Sequence, residues 1–206
     1  MHHRLRRSAP PLLLAALLLG ACAQPPLARY QAPPSGPTAK LLMRSTLQAG
    51  DSYGIFLADS ANDCQGMRMA AAGSQKSGDP AAVAISALGV RTVEVYLSKA
   101  DRSTCRARWS FYPTPGRSYL VSTKHTPEGC SAMIFDATDG DAMKIEPSLL
   151  RRDVPGNLCV PLAQSKSIAQ LASQLAAGKP APARASGAAQ LPANVVDDDL
   201  KSLIGR

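Results

Sequence analysis

Five cysteines, a single histidine beyond residue 3 and a short group of aspartates are the side chains whose types and spacing suit chemistry in this 206-residue chain. Four of the cysteines, Cys64, Cys105, Cys130 and Cys159, are spread through the middle of the sequence; the fifth, Cys22, stands directly after an apolar stretch. None of them has the CxxC spacing of a zinc site, and His125 is the one imidazole near them. Zinc is therefore disfavoured. In an exported chain an even set of four reads as two disulfides. Three pairings are open, and Cys64–Cys105 with Cys130–Cys159 is the expected one because each bond closes neighbouring segments.

His125 is also the only base that a Ser/His/Asp or Cys/His mechanism has to draw on after residue 3. It lies in Thr123-Lys124-His125-Thr126-Pro127-Glu128-Gly129, which reads as a strand running into a loop, and no Gly-x-Ser-x-Gly elbow or phosphate-cradling glycine loop accompanies it. Asp136, Asp139 and Asp141 supply hard oxygens of the kind calcium takes, but they lack EF-hand spacing and a late bidentate glutamate, so a polar hairpin turn is the expected role. Arg102, Arg106, Arg108, Arg151 and Arg152 read as cations on a solvated strand face, with a patch for anionic polymer or lipid headgroups as the alternative. No catalytic residue, cofactor or metal is assigned.

The elements that must position these groups are mostly short strands. Val93, Val95 and Leu97 share one face by the period of two, and Cys105, Ala107, Trp109 and Phe111 share another, which sends Arg106 and Arg108 outward. Further strands are expected at Leu41–Thr46, Tyr53–Ala58, Met67–Ala71, Val83–Ala87, Tyr119–Thr123, Ser131–Asp136 and Ala142–Glu146, with turns at Ala49-Gly50-Asp51, Pro113–Gly116 and Thr138–Asp141. The pattern predicts a mainly β domain over 40–163, an Ig-like or related β-sandwich of about 7–9 strands. Tyr119 sits where its hydroxyl would tie back to the preceding turn, as in a tyrosine corner. Ser165 to Ala177 changes period, with Ile168, Leu171, Ala172 and Leu175 on one face; an amphipathic helix is expected over 164–178, ended by Gly178 and Pro180. Residues 179–206 read as an Ala/Pro-rich linker and one short helix at Val195–Ile204, whose apolar side suits docking into a groove of an envelope protein partner.

Residues 1–21 are of a different kind. Arg4, Arg6 and Arg7 precede the 13-residue apolar stretch Ala9–Ala21, the layout of a secretory signal and too short to span a bilayer. Leu19-Gly20-Ala21-Cys22 then resembles the bacterial lipobox. The resemblance implies cleavage between Ala21 and Cys22, thioether attachment of a diacylglycerol to Cys22 and acylation, as with palmitate, of the new amino terminus. Several acyl chains hold a protein durably where one does so only marginally. Ala23, where an aspartate would favour inner-membrane retention in such lipoproteins, implies the outer membrane. The Pro-rich segment 22–39 reads as an extended, disordered tether. The run from Trp109 to Val121, with Cys130 after it and Cys159 closing the domain, also resembles small proteobacterial envelope lipoproteins that carry no assigned activity.

Composition limits the remaining classes. The chain is 45% hydrophobic and 18% charged, too apolar for a wholly disordered protein, and no apolar run reaches the ~20 residues of a spanning helix. Formal charge is +8, with 23 Lys+Arg and 15 Asp+Glu; removing residues 1–21 takes three arginines and no acid and leaves 20 against 15, or +5. So mild and dispersed a charge does not suit nucleic acid. The expectation is a lipid-anchored envelope protein acting as a non-catalytic binding or accessory module, with a small periplasmic hydrolase or transferase, or a glycan- or peptide-binding sandwich using Tyr96 and Tyr112, as alternatives.

Overall fold

A computed structural model describes residues 28–126, 129–140, 142–154 and 156–176, without the side chains at 45, 125, 126, 129, 130 and 175. The expected signal peptide, Cys22, Asp141 and the Val195–Ile204 helix lie outside the described residues.

Eleven strands are described: β1 (Thr38–Thr46), β2 (Ser52–Leu57), β3 (Arg68–Ser74), β4 (Val83–Ser86), β5 (Arg91–Ser98), β6 (Thr104–Phe111), β7 (Ser118–Thr126), β8 (Gly129–Asp136), β9 (Lys144–Ile145), β10 (Leu150–Arg151) and β11 (Lys166–Ser167). Helix α1 follows at Ile168–Ala176. The strands form a five-stranded sheet in the order β4-β1-β7-β8-β9 and a six-stranded sheet in the order β11-β10-β6-β5-β2-β3. Every strand pair is antiparallel except β1 with β7, which run parallel from Lys40↔Ser118 to Thr46↔Lys124. Two sheets packed face to face make the β-sandwich that the alternating sequence predicts.

The period of two places the core. Leu41, Met43, Ile85, Tyr119, Val121 and Ile134 of the first sheet meet Tyr53, Ile55, Val93, Val95, Leu97, Ala107, Trp109 and Phe111 of the second in one buried cluster that also holds Cys105. Phe111 and Tyr119 meet edge to face with ring centres 4.9 Å apart. The tyrosine corner is present: the amide of Thr114 donates to the Tyr119 hydroxyl at 2.8 Å, closing the Pro113–Gly116 turn. Between β1 and β2, Gly50 has φ +88°, and a Cβ there would lie 2.8 Å from that of Ala100. The buried carboxylate of Asp51 accepts from the amides of Gln48 and Ala100 beside it.

Tyr53 is buried at 3% exposure, and its hydroxyl has no hydrogen-bond partner among the described residues. Burial, with the charge of Asp79 adding to it, pushes this phenol up to about 12. The fold thus favours the neutral phenol, so its contribution is complete below the ordinary pKa near 10 and is lost as pH rises towards 12. Thermal midpoints are expected to fall across that window, and Tyr53→Phe to lose part of the decline. An equally steep decline in the variant would assign it to other groups.

Three features depart from the sequence expectations. The Pro-rich segment joins the domain well before residue 40: Met69 donates to the carbonyl of Ala28 and Tyr30 to that of Met69, making a parallel bridge of Arg29 with β3. Tyr30 is half-buried against the core, and Ala87 donates to the carbonyl of Pro37. Strands β10 and β11, two residues each, are too short to show a period. Helix α1 starts at Ile168, four residues later than the expected start at 164, because Lys166 and Ser167 pair with β10.

Candidate functional site

The outer face of the six-stranded sheet carries the residues that a site would use. Along β5 and β6 the outward side chains pair in register as Thr92↔Ser110, Glu94↔Arg108 and Tyr96↔Arg106. Solvent reaches them unequally. Thr92, Ser110, Glu94 and Arg108 are buried, whereas Arg106 is exposed and Tyr96 half-buried. The burial comes from the β2–β3 loop and the segment after β10, which fold over this part of the face and are joined by a disulfide between Cys64 and Cys159, with Cα atoms 6.1 Å apart.

Arg152 is the centre of that covered region and is fully buried. Its Nε donates to the carbonyl of Val160 at 2.7 Å. Nη1 donates to the carbonyl of Ala61 at 2.6 Å and the hydroxyl of Ser110 at 2.7 Å, with that of Thr92 at 3.3 Å. Nη2 donates to the carbonyl of Asn62 at 2.7 Å and lies 3.3 Å from the Cys159 sulfur. One guanidinium therefore ties the β2–β3 loop, two strands and the Cys159 segment together, almost entirely through uncharged acceptors. Burial first, then repulsion from Arg108, lowers its pKa, while Asp63 acts in the opposite sense. Beside it Arg108 forms an ion pair with Glu94, and the Arg108 amide donates to the Asp153 carboxylate at 3.2 Å.

These bonds correct the reading of the arginines as one solvated face. Arg152 and Arg108 are interior residues, Arg151 is half-buried with its Nη2 3.2 Å from Asp153, and Arg102 and Arg106 are exposed. Arg106 lies over the ring of Tyr96, 5.1 Å from its centre. Tyr112 is exposed at another end of the sheet, so the structure does not bring the two tyrosines of the expected ligand groove together.

The expected pairing of Cys64 with Cys105 is overturned for a geometric reason. Cys105 points into the core between the sheets, whereas Cys64 belongs to the cover on the opposite face of β6. Cys159 comes back across that outer face and is the partner Cys64 meets. Cys105 is itself disulfide-bonded. The backbone of Cys130 stands opposite that of His125 at the far end of β7 and β8; the two side chains lie outside the described set.

Asp136 serves the hairpin turn, as expected: its carboxylate accepts from the amide and hydroxyl of Thr138 and pairs with Arg117. Burial pulls the acid upward, but those bonds outweigh it and the net shift is downward. Among the described residues, no three His, Cys, Asp or Glu side chains gather as a metal site, and no helix is long and apolar enough to cross a membrane. Arg152 is the residue that sequence reasoning missed; nothing in the local pattern Leu150-Arg151-Arg152-Asp153 distinguishes an interior arginine from a surface one. No protein-family model and no curated protein matches the chain.

Proposed function

We propose that the protein is a lipid-anchored lipoprotein of the bacterial cell envelope, held at the outer membrane through Cys22, with its β-sandwich serving as a non-catalytic binding or accessory module. The observation that carries this reading is Leu19-Gly20-Ala21-Cys22 placed directly after a basic start and a 13-residue apolar stretch. The Cys64–Cys159 bond supports export, since such bonds persist in oxidising compartments. A binding or accessory role is supported by how the buried charged groups are used. The guanidinium of Arg152 is occupied by main-chain and hydroxyl acceptors, and Glu94 and Arg108 neutralise each other. The bonds of Arg152 hold the cover in place, and Arg106 and Tyr96 are left as the accessible recognition chemistry on that face. The 30 residues beyond Ala176, with the Val195–Ile204 segment, are the proposed attachment for an envelope protein partner.

The test is Cys22→Ser in intact cells. The native chain is expected in the membrane fraction, carrying a metabolically incorporated fatty acid, and the variant in the soluble periplasmic fraction without it. Membrane retention of the variant, or absence of acyl label from the native protein, overturns the anchor.

A further inference from the structure

We infer that the end of the sandwich bearing Leu88 and Tyr112 rests on the bilayer, held there by a linker too short to let the domain stand away from it. This rests on the proposed lipidation of Cys22. Among the described residues the linker is bounded by the first main-chain bond to the domain, the one from Met69 to the carbonyl of Ala28 at 2.9 Å. Cys22 precedes Ala28 by six residues, and six residues span at most about 20–22 Å when fully extended. The α-carbon of the lipid-bearing residue is thus leashed within about that distance of the start of β3.

Register shows which end of the sandwich this is. Arg68 pairs with Leu57 and Leu57 with Val93, so β3 begins beside the beginning of β5; Arg91 pairs with Phe111, so β6 ends there too. Strand β1 starts at the same end, with Thr38 opposite Ser86 and its carbonyl accepting from Gly116. The turns at this end hold Leu88, between β4 and β5, and Tyr112, just past β6. Among the described residues four large apolar side chains are exposed, and these two are the most exposed, at 63% and 55%. The other two, Leu158 at 44% and Val154 at 41%, belong to the segment after β10, which forms part of the cover over the outer face.

A bilayer surface is the occupant these features fit. Leucine enters the acyl boundary, and tyrosine suits the interface, where its ring is apolar and its hydroxyl stays wet. Arg29, exposed beside the linker, adds a cation for anionic headgroups.

The decisive experiment uses the full chain, purified with its lipid and inserted into phosphatidylethanolamine/phosphatidylglycerol vesicles containing a diazirine-bearing phospholipid. After photolysis and digestion, adducts are located by mass spectrometry. Adducts are expected several-fold more often on segments 86–91 and 112–117 than on 154–160. Equal labelling, or labelling concentrated on 154–160, overturns the inference. The peptide containing Cys22, read in the same digest, separates the two failures. A lipidated Cys22 with equal labelling removes the orientation alone, and an unmodified Cys22 removes the anchor and the orientation together.

Discussion

Arg152→Met is expected to destabilise the domain by roughly 3–5 kcal/mol, at the far end of what a single substitution does. Methionine fills much of the volume but donates nothing, so the hydroxyls of Thr92 and Ser110, which are buried, and the carbonyls of Ala61, Asn62 and Val160, which are partly buried, lose their shared donor. Each buried polar group left without a partner costs about 1–3 kcal/mol, reduced where Thr92 and Ser110 still bond each other at 2.7 Å. Part of the loss is returned because the buried charge disappears as well, which is why the figure stays below the simple total. Arg152→Lys is expected to recover little, since an ammonium cannot reproduce a planar fork that reaches acceptors on three sides. Urea denaturation is the measurement. At an m-value of about 1–3 kcal/mol/M for a small domain, the midpoint should fall by more than ~1 M with little change in slope. A shift within error would show that the cover is held without the guanidinium.

Removing the Cys64–Cys159 bond by the double substitution Cys64→Ala, Cys159→Ala is the second large effect. The bonded residues are 95 apart in sequence, and on chain-entropy grounds closing a loop of that size stabilises the fold by about 4–5 kcal/mol. The two effects are coupled, because Arg152 reaches both the carbonyls of the β2–β3 loop and the Cys159 sulfur. Combined, the substitutions should cost less than their separate effects predict, by about 0.5–3 kcal/mol, since either one alone already frees the cover. Strict additivity would mean that bond and guanidinium act on different structures. Peptide mapping without reduction should give a Cys64–Cys159 crosslink. A Cys64–Cys105 peptide would contradict the placement of those residues on opposite faces of β6.

A cover of this kind explains why the part of the outer face that holds Thr92, Glu94, Arg108 and Ser110 is polar yet dry. In a sandwich the outward side chains usually meet water, and Glu94 opposite Arg108 would there be an ordinary exposed pair of little energetic weight. Once the disulfide-joined segments lie over them, the same residues lose solvent and must satisfy one another. Further along, where the cover ends, Arg106 is exposed and Tyr96 half-buried.

The sequence by itself determined which face of β5 and of β6 is core. Alternation in Val93-Glu94-Val95-Tyr96-Leu97 and in Cys105-Arg106-Ala107-Arg108-Trp109 depends only on the two-residue period of an extended chain, and the tyrosine corner and the Asp136 turn are equally local. Tertiary structure alone decided what lies over those faces. The partner of Cys64, the burial of Arg152 and the attachment of Ala28 to Met69 each join segments tens of residues apart, and a surface arginine and an interior one have the same neighbours in sequence. Local periodicity sets the direction of a side chain, whereas its environment is set by whichever distant segment packs there, and that is a property of the whole fold.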